Sequence, residues 1–208
     1  MVIKEKIIEI VLKVNCDKKG IEKAHQIIKR GGIAIFPTDT VYGIGCDPYN
    51  EKSVEKIYEI KSRDITKQVP VLAYSIETAS KVCHIDKFTK KIAQKFWPGP
   101  LTIILKVTDE NLKRAMRLKD KIAIRVPNHK CTLKLLEKCD FLVGTSANIS
   151  GCSPHTDPDE CFKNLQNQDI FINGGTIASK TVSTIIEIEN EEIKIIREGS
   201  LTREEILK

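Results

Sequence analysis

The stretch Ile33 to Cys46, "IAIFPTDTVYGIGC", begins as an apolar run that suits a strand covered on both faces. It then changes character. Pro37 ends the run, and Thr38, Asp39, Thr40 and Tyr42 place hydroxyls and a carboxylate just beyond it. Open α/β sheets bind ligands beyond the C-terminal ends of their strands. Gly43 and Gly45 remove side chains where a ligand or a second backbone approaches closely. A tight polar turn capped by threonines accounts for the same residues.

Outward from this stretch, strands and helices alternate. Upstream lie a strand from Ile7 to Leu12 and a helix from Ile21 to Arg30, stopped by Gly31 and Gly32. Downstream, Asn50 caps a helix with Val54, Ile57 and Tyr58 on its apolar face, and "VPVLAY" (69–74) is a strand. Ser75 and Asp86 are N-caps. "LTIILKV" (101–107), "IAIRV" (122–126) and "FLVGTS" (141–146) are strands, and Asn128 caps a helix running to Cys139. Asp157-Pro158 opens a further helix, and Thr202 with Glu205 forms a capping box for the last one. "VSTIIEI" and "IKIIRE" meet around Glu189-Asn190 as an antiparallel hairpin. The expected architecture is α/β: one domain over residues 1–208, with a twisted mixed sheet of parallel and antiparallel strands and flanking helices.

The chain has 208 residues, 41% hydrophobic and 30% charged, which is ample for a core and argues against general disorder. The net charge of +6 fits either a lysine-rich solvated surface or an anionic partner such as a nucleotide or RNA. Seven cysteines include no Cys-x-x-Cys pair, so free thiols in a reducing compartment are expected, with no protein-bound zinc. The N-terminus does not read as a signal peptide, and no apolar stretch suits a membrane span. A cytoplasmic location is expected. Walker, Gly-x-Gly-x-x-Gly and Gly-x-Ser-x-Gly motifs are absent. Catalysis without them would rest on positioning and electrostatics.

Four polar clusters remain as candidates: the opening stretch; Lys61, Arg63 and Lys67; the loop Gly144 to Gly151 with Ser146 and Asn148; and Arg125 and Arg197 at strand ends, with Ser183 and Thr184 on a neighbouring strand. Cations at 61–67 either complement the end of a helix or clamp phosphates, arginine as a fork and lysine as a point charge. The 144–151 loop suits a nest for phosphate or ribose oxygens, or simply a glycine-bounded turn.

Taken in order, "FPTDTVYGIGCDP", "KSRDITKQVPVL", "FWPGPLTIIL", "IAIRVPNH", "SANISG", "INGG", "STIIEI" and "IIREGSLTREEI" resemble the YrdC-like domain of threonylcarbamoyl-AMP synthases, from about Gly20 onward. The resemblance implies a twisted α/β sheet around a basic concave cavity. It also implies formation of threonylcarbamoyl-AMP and pyrophosphate from L-threonine, bicarbonate and ATP, with Mg²⁺ accompanying ATP and no haem. A downstream threonylcarbamoyl transferase would use the product for N6-threonylcarbamoyladenosine in tRNA. Residue by residue, it assigns catalysis to Lys61 and Arg63, and ATP to Lys61, Arg63, Lys67, Ser146, Asn148 and Arg197. Threonine falls to Thr38, Tyr42, Arg125 and Ser183.

Two positions depart from the family pattern: Asp64 and Gln68 stand where prolines are usual. They point to altered ATP affinity or a paralogue of different substrate. The chain also lacks room for the C-terminal extension of some relatives. The alternative is a non-catalytic, RNA-binding YrdC-like paralogue, disfavoured by the scarcity of stacking aromatics (5%). A related carbamoyl-adenylate enzyme of hydrogenase maturation would need zinc-finger and acylphosphatase regions that this sequence lacks.

Overall fold

A computed structural model describes residues 11–179 and 181–208. In chain order the elements are β1 (Leu12–Asn15), α1 (Lys18–Lys29), β2 (Ala34–Pro37), β3 (Tyr42–Gly45), α2 (Glu51–Ile60), β4 (Val71–Ala73), α3 (Ile76–Ala79), α4 (Lys87–Phe96) and β5 (Leu101–Lys106). There follow α5 (Glu110–Ala115), β6 (Lys121–Arg125), α6 (Lys130–Cys139), β7 (Phe141–Val143), β8 (Thr145–Ser146), α7 (Pro158–Asn164), β9 (Ile170–Asn173), β10 (Thr184–Glu189), β11 (Glu192–Arg197) and α8 (Arg203–Leu207).

The strands form two sheets rather than one. The first has the order β1-β9-β2-β3-β8 and the second β11-β10-β5-β6-β4-β7. Both mix directions. β2 runs parallel to β9 and antiparallel to β3, while β5 runs parallel to β10 and antiparallel to β6. The opening stretch is thus a tight hairpin, with Pro37 paired to Tyr42 across its turn. Pro37 sits inside β2 at the hairpin end, where the amide it lacks is least needed. Gly45 faces the Val143 carbonyl of the other sheet, so its missing side chain serves a close backbone approach.

Most capping residues act as their chemistry demands. Asn50, Ser75, Asp86 and Asp157 each accept a main-chain N–H from the first turn of their helices, and Thr202 and Glu205 close a reciprocal box. At α6 the cap is His129, whose Nδ1 accepts from the Cys131 N–H, in place of the expected Asn128. Asn128 instead donates its backbone N–H to Asp39. The expected strand at Ile7–Leu12 falls almost wholly outside the described residues; the observed β1 starts at Leu12.

A large core fills the space between the sheets and α2, α4 and α5, while a second cluster packs α1 and α6 against β2 and β9. Cys16 and Cys131 are joined as a disulfide beside that second cluster, which corrects the expectation of free thiols for this pair. The two lie 115 residues apart, and only the fold brings them together. Cys46, Cys83, Cys139, Cys152 and Cys161 are free. Among the described residues no helix is long and apolar enough to cross a membrane.

Candidate active site

The hairpin turn between β2 and β3 is built by its own hydroxyls. Thr38 Oγ1 donates to the Val41 carbonyl at 2.6 Å and accepts the N–H groups of Thr40 and Val41. Thr38 and Thr40 Oγ1 lie 3.0 Å apart. This is the capped polar turn, and both threonines also line a cavity of about 260 Å³ between the two sheets. Gly43 lines it too, and its absent side chain leaves room for the Phe36 ring packed across the hairpin.

Asp39, at the tip of the turn, pairs with Arg125 at 2.6 Å. Arg125 sits at the end of β6, almost fully buried, and is fixed by three donations: Nε to the Gly99 carbonyl, Nη1 to Thr40 and Nη2 to Asp39. A guanidinium has five N–H groups, so about two remain to meet a ligand. Burial lowers the Arg125 pKa and the Asp39 charge opposes that shift; the group stays ionised.

Arg197, at the end of β11, is oriented by the Ser183 carbonyl and hydroxyl, and Ser183 in turn lies 3.0 Å from Thr102. Burial, then the charges of Arg125 and Arg63, lower its pKa. Three cations therefore share one field. Arg63, on the loop after α2, donates to the carbonyls of Lys67 and Gln68 and completes the set. Asp64 does not face this cluster as a competing carboxylate. Its Oδ1 accepts the N–H and hydroxyl of Thr66, forming an Asx turn that also keeps its pKa low.

The cavity brings together Thr38, Arg63, Arg125, Ser146, Ser183 and Arg197. Tyr42, Lys61, Lys67 and Asn148 are not among its lining residues. Lys61 is 1% exposed, and its Nζ donates to the main-chain carbonyls of Ser146 and of Asn148. The Asn148 amide nitrogen donates to the carbonyls of Ile149 and Cys152, bracing its own loop. The Lys67 side chain is exposed; its carbonyl holds Arg63. Tyr42 stacks on Phe171 in the core, and its hydroxyl donates to Gly175 and accepts from Gly174. Burial pushes its pKa up to about 12. Tyr42→Phe is accordingly expected to lower unfolding free energy by about 1–2 kcal/mol in urea titrations.

Asp39 and Thr40 are the two groups holding Arg125 that sequence reading left unassigned. They lie in the opening stretch itself, but Arg125 is 86 residues from Asp39 and 85 from Thr40. Among the described residues no group of three or more His, Cys, Asp or Glu is arranged to hold a metal ion.

Fold and site define an α/β protein in which two mixed sheets flank a cavity with three convergent arginines and a wall of hydroxyls. The chain belongs to the Sua5/YciO/YrdC family: the family model, described as "Telomere recombination", matches residues 26–199. A Methanocaldococcus jannaschii protein that carries the threonylcarbamoyl-AMP synthase name provisionally is 39% identical over 205 residues, covering 96% of this chain and 95% of its own. A threonylcarbamoyl-AMP synthase of Pyrococcus abyssi is 31% identical over 90% of this chain, which spans 56% of that protein. The crystal structure of P. abyssi Sua5 complexed with L-threonine superposes with a TM-score of 0.88 at 30% identity, over 95% of this chain and 59% of that one. Escherichia coli YciO has the same fold, with a TM-score of 0.84 at 23% identity, over 96% of this chain and 100% of that one.

Proposed function

We propose that this chain is an L-threonylcarbamoyladenylate synthase, a nucleotidyltransferase that joins L-threonine, bicarbonate and ATP and serves tRNA modification in the cytoplasm. The observation that carries the reading is the convergence of Arg63, Arg125 and Arg197 on one cavity, each held by main-chain or side-chain acceptors yet keeping free N–H groups. Family membership and the threonine complex of the P. abyssi relative support the choice of substrate. Residues 1–208 are read as a single catalytic domain.

In this reading the threonine amine and bicarbonate give a carbamate and water. A carbamate oxygen attacks the α-phosphorus of ATP, the bond to the β-phosphate bridging oxygen breaks, and pyrophosphate leaves. The nucleophile comes from substrate, so the protein positions groups and offsets charge. Arg125, with Thr38, Thr40 and Ser183 nearby, suits the threonine carboxylate and hydroxyl. Arg63, Arg197 and Ser146 suit the phosphates. Magnesium would arrive with ATP and would offset charge on the phosphates. Partly enclosing walls limit hydrolysis of the mixed anhydride before a downstream transferase takes it.

The test is incubation with ATP, labelled bicarbonate and threonine, following pyrophosphate and labelled adenylate. Threonine-dependent release of both is expected. Release that ignores threonine, or ATP binding without release, would defeat the reading and favour a non-catalytic, RNA-binding paralogue.

A further inference from the structure

Lys61 closes α2, and Ser62 beyond it adopts a left-handed conformation (φ 47°) that turns the chain away. A lysine at a helix end ordinarily reaches for water. This one folds inward and is 1% exposed. Among the described residues it forms no ion pair; main-chain carbonyl dipoles alone receive its ammonium. The Nζ donates to Ser146 O and Asn148 O, the second at 2.7 Å, and the carbonyl of Lys61 itself accepts the Ser150 N–H at 2.8 Å. One residue therefore grips the 146–150 loop from both ends. Among the described residues Asn148 Oδ1 and Ser150 Oγ are buried without hydrogen-bond partners, so these two atoms do nothing to hold the loop in place. With the carbonyls of Ser146 and Asn148 drawn toward Lys61, Ser146 remains on the cavity wall.

We propose that Lys61 is a positioning residue, which shapes the Ser146–Ser150 loop for the triphosphate through two main-chain carbonyls and does not itself contact phosphate. This rests on the nucleotide reading of the cavity given above. An ammonium holding two carbonyls is worth keeping only if loop geometry matters, since burying it unpaired is costly. Protonation strengthens both bonds. Burial, and then the charge of neighbouring Arg63, push the Lys61 pKa down to about 8, and Arg63 is the charged side chain that bears on it. ATP affinity then falls as pH rises through about 8, where the ammonium loses its proton.

The test measures ATP binding by calorimetry without threonine or bicarbonate, amide exchange of apo protein over residues 146–150, and steady-state kinetics. Lys61→Met is expected to weaken ATP binding roughly 10- to 100-fold, to speed exchange in that loop, and to leave the KM for threonine unchanged. Lys61→Arg, whose guanidinium does not titrate in this range, should retain affinity and flatten its pH dependence around 8. If Lys61→Met does not fold, the pH profile of Lys61→Arg decides. Unchanged affinity and exchange in Lys61→Met overturn the proposal. So does a lower kcat with affinity and exchange unchanged, which would put the ammonium on the reacting phosphate. Wild-type protein that binds ATP but releases no pyrophosphate sinks the synthase reading alone and leaves this one standing.

Discussion

Arg125→Ala is expected to lower threonine-dependent kcat/KM by roughly 10³-fold and unfolding free energy by about 3 kcal/mol. The two losses have different origins. Activity falls because Arg125 lines the cavity where the substrate carboxylate is proposed to sit, with N–H groups to spare beyond its three bonds to the protein. Stability falls because Asp39, largely buried, and the Gly99 carbonyl lose their partner. Removing the carboxylate as well separates the effects. The double variant Asp39→Ala/Arg125→Ala should regain much of the stability in urea titrations and none of the activity. If the double variant is no more stable than Arg125→Ala, the buried pair is not what holds this corner. Arg125→Lys should fare little better than alanine, because a single ammonium cannot reach Gly99, Thr40 and Asp39 together.

Arg63→Ala and Arg197→Ala are each expected to cost about 10²- to 10³-fold in kcat/KM for ATP, with melting temperatures close to wild type. Both side chains are partly solvated and bonded to carbonyls that water can satisfy in their place. The wild-type KM for ATP should also rise with salt, since partly solvated cations are screened over about 10 Å at 0.1 M ionic strength. Equal losses for ATP and threonine in either variant would contradict the division of roles between these arginines and Arg125.

Local chemistry was the most legible part of this chain. Caps at Asn50, Ser75, Asp86, Asp157 and Thr202 and the hairpin at Glu189-Asn190 could be read because each depends on a few adjacent residues. The mixed strand directions followed from element order. What stayed hidden depends on distant partners. Nothing near Tyr42 says that its hydroxyl will bridge Gly174 and Gly175. Nothing near Lys61 says that it will turn inward to a loop 85 residues further on. β3 was missed as a strand because two of its four residues are glycine, and β9 because its four residues are too short a run to stand out from the motif they lead into. The site followed the same rule. Arg63, Arg125, Arg197, Ser146, Ser183 and Thr38 meet in the cavity, while the role of Asp39 became readable only when Arg125 was beside it.

The Asx turn at Asp64 has a thermal meaning. A proline braces a loop by removing conformations from the unfolded chain, an entropic restraint whose weight in free energy grows with temperature. Asp64 braces the same place with two hydrogen bonds to Thr66, an enthalpic restraint that does not grow in this way. The loop carrying Arg63 is thus held by a device whose advantage over proline shrinks as the protein warms. Substitution between the two residue types therefore alters the temperature dependence of the site more than its shape.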